Sequence, residues 1–232
     1  MKPPADPATE ARYFLRGMPL FSGLGEASLL ALARSGRFVQ VEKGQFVFFQ
    51  SDPSDKAYIV HSGLVSIVLE STDGREMVIN EMRPGDFFGE VGLLTGQSRS
   101  TGAVARTDTD LLVFPRQAFL NILEAEPLLA RRLLEMTANR LRGSSERESA
   151  LAFLDAQARL ARLLLQLERQ EQKKGYITIS QEELAQRTGL TRQTVAKALG
   201  RWRRSGWLIT GRGHIMVLKR DALVRLEKEW SI

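Results

Sequence analysis

The chain has 232 residues and no cysteine, with 43% hydrophobic and 26% charged residues, the proportions of a globular protein with room for two ordinary domains. The missing thiols exclude disulfides, thiolate catalysis and cysteine-held iron–sulfur clusters. The net charge of +6 is uneven: residues 1–154 hold 17 Lys/Arg against 19 Asp/Glu, whereas residues 155–232 hold 16 against 8, so the C-terminal third suits a polyanion such as nucleic acid.

No apolar run is long enough to cross a bilayer and the N-terminus carries no secretory pattern, so a cytoplasmic protein without a membrane partner is expected. Residues 1–10 are rich in proline and alanine and are expected to lack order. Glu10 to Arg34 reads as helical, broken at Gly17–Pro19 and Gly23–Gly25. From Gly36 to Pro115 the periodicity changes to short strands: FVQVEKGQFVFF, KAYIVHSGLVSIVLE, REMVINEM, TGAVART and TDLLVF. Turn signals at Lys43–Gly44, Asp52–Pro53, Ser62–Gly63, Asp73–Gly74 and Pro84–Gly85 separate them. Short strands at this regular spacing favour a compact antiparallel barrel or roll over a parallel α/β sheet.

From Arg116 the chain turns helical, and Pro127 is well placed to begin a long helix. Within it Leu133, Thr137, Leu141 and Ser144 recur at three- and four-residue steps and Leu151 follows one heptad on, a stripe that suits the seam of a parallel two-helix coil, with a polar middle near Glu148. Asp155 follows as a hinge before the amphipathic ARLARLLLQLERQ, and YITI reads as a short strand.

Next comes the strongest local signal, SQEELAQRTGLTRQTVAKALGRWRR at 180–204. Counting from Gln181, Ala185 stands fifth, Gly189 ninth and Val195 fifteenth. A helix-turn-helix needs that spacing: a small residue where two helices cross, a glycine for the positive φ of the turn, and a β-branched plug for the core. Ser180 with Glu183 predicts a capping box, and Thr191 predicts the cap of the second helix. WLITGRGHIMVL then reads as a hairpin around Gly211–Arg212–Gly213, a wing, and residues 219–230 as a short closing helix.

Taken in this order, the chain resembles the bacterial cyclic-AMP receptor protein and fumarate–nitrate regulator family of transcription factors. The resemblance runs from PLFSGL at 19–24 to the wing. It rests on the helix-turn-helix and on FFGEVGLLTGQSRST at 87–101, similar to the family's phosphate-binding cassette; LAFLD at 151–155 resembles its interdomain hinge. It implies an α+β chain: an effector-binding antiparallel β-roll at 1–126, a dimerisation helix and hinge at 127–154, and a winged helix-turn-helix at 155–232. A homodimer, double-stranded DNA, RNA polymerase and a cyclic nucleotide, cyclic AMP first, are the implied partners. No catalytic residue, metal or resident cofactor is implied.

In the cassette, Gly89 and Gly92 let backbone N–H groups approach an anion, and Glu90 offers acceptors to a ribose hydroxyl. Arg99 offers a fork of donors to phosphate, with Ser100 and Thr101 beside it. Counting back from LAFLD, Ser144 and Ser145 match the family's Thr-Ser pair on the purine; serine in place of threonine leaves purine choice open. On the recognition helix the family pattern is Arg-Glu followed four residues later by Arg, whereas this chain has Arg192, Gln193 and Lys197. Arg192 can hold guanine bidentately, Gln193 suits adenine, and Lys197 is a point charge without the fork. Thr191, Thr194, Arg201 and the wing-tip Arg212 complete the expected DNA contacts. Two other readings stay open: the same regulator without an effector, and a cupin-like enzyme. The latter has only His61, placed in a turn by Ser62–Gly63, and the distant His214 to hold a metal.

Overall fold

The computed structural model describes residues 6–71, 76–171 and 174–228, without the side chains of 150–153. The turn expected at Asp73–Gly74 and the side chain of Leu151 lie outside the described residues. The chain forms two compact units, residues 1–140 and 141–232.

The first unit opens with α1 (Pro7–Arg16), which starts three residues earlier than the composition suggests. Proline at a first helical position loses no hydrogen bond and is already set to helical φ. A 3-10 turn at Pro19–Phe21 leads to α2 (Glu26–Ser35). Eight strands follow: β1 (Arg37–Val41), β2 (Phe46–Phe48), β3 (Lys56–Ser62), β4 (Val65–Glu70), β5 (Glu76–Met82), β6 (Phe87–Phe88), β7 (Gly102–Ala105) and β8 (Thr109–Pro115). They form two four-stranded antiparallel sheets, in the orders β1-β8-β3-β6 and β2-β7-β4-β5. FVQVEKGQFVFF is thus split at its Lys43–Gly44 turn, one half in each sheet. Val60, Val65, Ala103 and Leu111 are fully buried in one core of the roll, and burying one such valine or leucine contributes about 1.5–3 kcal/mol. His61 stands in β3 rather than in a turn, edge-on to Phe14 and Phe38 at 4.8 and 5.1 Å.

Helix α3 (Glu90–Thr95) interrupts the strands, and α4 (Arg116–Ala125) follows them. The long helix α5 (Pro127–Phe153) begins where Pro127 predicts. Its opening turns belong to the first unit, where Leu129 and Leu133 are buried with Leu15, Phe21 and Leu32. Leu133, expected on the seam, is only 3% exposed there, while its neighbour Leu134 is 71% exposed and Leu141 is 68% exposed. The open apolar face of α5 therefore keeps Leu141 of the expected stripe and has Leu134 in place of Leu133. Thr137 is half-buried and donates its hydroxyl to the Leu133 carbonyl at 2.8 Å.

In the second unit α6 (Ala156–Gln170) starts at Asp155, whose carboxylate accepts from the Ala158 N–H at 2.8 Å. The short strand β9 (Ile177–Thr178) precedes α7 (Gln181–Thr188), and both capping-box bonds between Ser180 and Glu183 are made. Gly189 takes φ +66° at the turn. Helix α8 (Arg192–Arg204) starts at Thr191, whose hydroxyl accepts from the Thr194 N–H at 3.1 Å. Strands β10 (Leu208–Gly211) and β11 (His214–Val217) pair antiparallel as the wing, β9 joins the outer side of β11, and α9 (Arg220–Lys228) closes the unit. Leu184, Val195, Leu164 and Trp202 share the core. Trp202 stacks with Trp207 at 6.3 Å between ring centroids.

Candidate functional site

Strand β6 feeds straight into the cassette. Gly89 adopts φ +80°, and a Cβ there would stand 2.7 Å from Arg99 Nη1, so the position needs glycine for both its backbone and its neighbour. At Gly92 a Cβ would run into Ser54 Oγ and approach the Gln97 carbonyl at 2.9 Å, a steric demand that the sequence reading did not include. Its missing side chain makes room for the 49–55 loop and for the returning arm of the cassette.

Arg99 is 4% exposed. Its Nη1 donates to the Gly89 carbonyl at 2.8 Å and its Nη2 to the Lys56 carbonyl. Phe48 faces the guanidinium at 4.3 Å and Tyr58 at 5.4 Å. Aromatic faces and carbonyl oxygens together compensate a cation removed from water. Burial still pulls the Arg99 pKa below its ordinary value, partly offset by Tyr58 and Asp55, and burial likewise raises the Tyr58 phenol. The guanidinium stays protonated. Its Nε is buried without a hydrogen-bond partner among the described residues.

Glu90 is 5% exposed, and its Oε1 accepts from Arg140 Nη1 at 2.6 Å, while Arg140 Nη2 donates to the Phe87 carbonyl. Arg140 was not legible in the sequence, because fifty residues separate it from Glu90 and no spacing rule connects them. It uses one carboxylate oxygen and leaves Oε2 for another donor. Arg116 Nε holds the Leu93 carbonyl of α3 at 2.7 Å. Ser100 is exposed and Thr101 half-buried, both directly after Arg99. Ser144 and Ser145 lie on α5 in the second unit; Ser144 donates to Glu148 Oε1 at 3.4 Å and Ser145 is exposed.

On α8, the buried side is Val195, Ala198, Leu199 and Trp202. Arg192, Gln193 and Lys197 are exposed on the other side. Thr191 and Thr194 are engaged with each other at the cap, hydroxyl to hydroxyl at 2.8 Å, so they place the helix start. Arg201 donates to Gln157 Oε1 at 3.2 Å. Arg212 is exposed at the wing tip, and its carbonyl accepts from His214 Nδ1 at 2.8 Å.

A winged helix-turn-helix with a cationic open face, in one chain with a roll that buries an arginine and a carboxylate, defines a DNA-binding transcription regulator. Residues 38–126 match the cyclic nucleotide-binding domain family and residues 158–226 the Crp-like helix-turn-helix domain family. The chain is 34% identical over 204 residues to the cyclic AMP receptor protein of Thermus thermophilus, covering 88% of this chain and 94% of that protein. It is 31% identical over 212 residues to the CRP-like cAMP-activated global transcriptional regulator of Mycobacterium tuberculosis, covering 89% and 95%. FixK2 from Bradyrhizobium japonicum superposes with a TM-score of 0.70 at 27% identity, over 83% of this chain and 97% of that one. The chain belongs to the CRP/FNR family of transcription regulators. The cupin-like reading falls with that membership, since these relatives are regulators rather than enzymes. Among the described residues no helix is long and apolar enough to cross a membrane.

Proposed function

We propose that this chain works in the cytoplasm as a homodimer on a palindromic DNA site, switched by a cyclic nucleotide, with cyclic AMP the first choice and cyclic GMP or cyclic di-GMP the alternatives. The observation that carries the effector reading is Arg99: a cation 4% exposed whose Nε has no hydrogen-bond partner among the described residues. A buried charged donor left unmatched is costly, and a phosphate oxygen is the acceptor its chemistry fits. Glu90 Oε2 then takes a ribose hydroxyl, and Ser100 and Thr101 flank the phosphate. The names of the Thermus and Mycobacterium relatives put cyclic AMP first.

The regulator without an effector keeps one observation in its favour, because Glu90 and both Nη groups of Arg99 are already partnered within the protein. Calorimetric titration of nucleotide-free protein with the three cyclic nucleotides, followed by operator affinity with and without saturating ligand, separates the two. Coupling of about 1–3 kcal/mol, or 5–150-fold in DNA affinity, supports the switch; equal operator affinity in both states selects the effector-free regulator.

The dimer reading rests on Leu134 and Leu141, exposed and seven residues apart on α5 with Ala138 between them. That is a heptad step, and two such leucines left in water favour a partner helix. Replacing both with lysine is expected to give a monomer in sedimentation with the roll still folded. In this reading RNA polymerase is the downstream partner, and Arg192, Gln193, Lys197, Arg201 and Arg212 meet the DNA.

A further inference from the structure

Helix α8 spans thirteen residues, so Arg204 lies about 18 Å along the axis from Arg192 at 1.5 Å per residue. B-DNA's major groove is about 12 Å wide. A helix that enters it N-terminus first therefore leaves its last turn at the sugar–phosphate rim. The composition of α8 changes along the same line. Its first two turns present Arg192, Gln193 and Lys197, side chains with donors or acceptors for base edges. Its third turn presents Gly200, and a Cβ there would find only Arg204 Nη1 at 3.7 Å, so the fold itself does not demand glycine at this position. A mid-helix glycine weakens a helix relative to alanine, and here it keeps the middle of the open face bare.

The last turn carries Arg201, Arg203 and Arg204, all exposed. The described residues place no carboxylate in an ion pair with any of the three, and the Gln157 partner of Arg201 is neutral. A cation at a helix C-terminus complements the dipole, but one suffices and lysine serves as well. Three arginines instead supply forked donors matched to phosphate oxygens.

We infer that the last turn of α8 is a clamp on the backbone of double-stranded DNA, distinct from the base-reading first two turns, with Arg201, Arg203 and Arg204 holding phosphates and Gly200 letting the rim approach between the two halves. This deepens the DNA reading above and rests on α8 lying in the major groove.

The test uses the full chain, a duplex carrying the operator selected by the wild-type protein, and an unrelated duplex of equal length. The R203Q/R204Q double variant is expected to weaken binding to both duplexes by a similar factor, on the order of tenfold or more. The slope of log K against log salt should become shallower by about 1.8, from about 0.9 per phosphate contact. Base preference at every operator position should be unchanged, and R203K/R204K should keep the wild-type slope because it keeps the charge. Both side chains are exposed, so the unfolding midpoint should hold. An unchanged slope in the glutamine variant, or a loss confined to one base position, overturns the clamp while leaving the major-groove reading intact. Wild-type DNA binding combined with lost transcription in a purified system also overturns it, and assigns the arginines to a protein partner. Wild-type protein that fails to tell operator from unrelated DNA sinks the major-groove reading and the clamp with it.

Discussion

Arg99 and Arg192 are both read as grips for an anion, and the molecule treats them in opposite ways. Arg99 is 4% exposed, bonded to two backbone carbonyls and flanked by two aromatic rings. Arg192 stands in water on the open side of α8. A buried charge is part of the fold, because each partner removed leaves an uncompensated ion in a medium that solvates it poorly. An exposed charge contributes little to stability, and its interaction energy is realised on binding. Substitutions in the roll should therefore register first as lost stability, and substitutions on α8 as lost affinity with the fold intact.

The sharpest way to break this contrast is at Arg140. Arg140→Ala strands the carboxylate of Glu90, whose side chain is 7% exposed, and is expected to destabilise the first unit by about 3–5 kcal/mol in urea unfolding. A loss under 1 kcal/mol would mean that Glu90 is solvated after all. On the exposed side, Arg192→Ala should weaken operator binding by about 1–3 kcal/mol and relax preference at one guanine. Its unfolding midpoint should match the wild type; a large shift would show that the open face of α8 also carries structure. The smallest effect belongs to the loop beside Arg99. Ser51 sits at φ +73°, and its N–H donates to the Arg99 carbonyl at 2.8 Å. Ser51→Gly relieves a left-handed conformation at the cost of unfolded-state entropy, so a gain of about 0.5–1 kcal/mol in stability is expected. Loss of stability would place the hydroxyl, rather than the backbone, in charge of the loop.

The legible parts of this chain were those whose physics is local. Ser180 and Glu183 lie three residues apart and bond to each other, Gly189 takes the positive φ its position demanded, and Pro127 starts the long helix. The strand segments were readable for the same reason, since alternation and turn residues are short-range signals. The burial of Leu133 in the first unit was not legible, because the adjacent leucines 133 and 134 offer two stripes and only tertiary packing decides which of them the roll covers. The steric demand at Gly92 was not legible, because the side chain it accommodates, Ser54, comes from a distant loop. Arg140 and the aromatic faces of Phe48 and Tyr58 meet the cassette from far along the chain, so no window of sequence contains the pairing.

The stacked pair Trp202–Trp207 also makes the molecule its own optical reporter. The three tryptophans of the chain, at 202, 207 and 230, all follow the first unit in sequence, so tryptophan emission, unlike that of Tyr13 and Tyr58, carries nothing from the roll itself. Trp202 is 1% exposed and shares its core with Val195, the residue that plugs the helix pair. A cyclic nucleotide added to the roll has no indole beside it in the first unit, so a shift in emission wavelength or lifetime during such a titration is a signal carried from one unit to the other. A stopped-flow trace of that emission would time the passage directly, without a dye, a label or any DNA present.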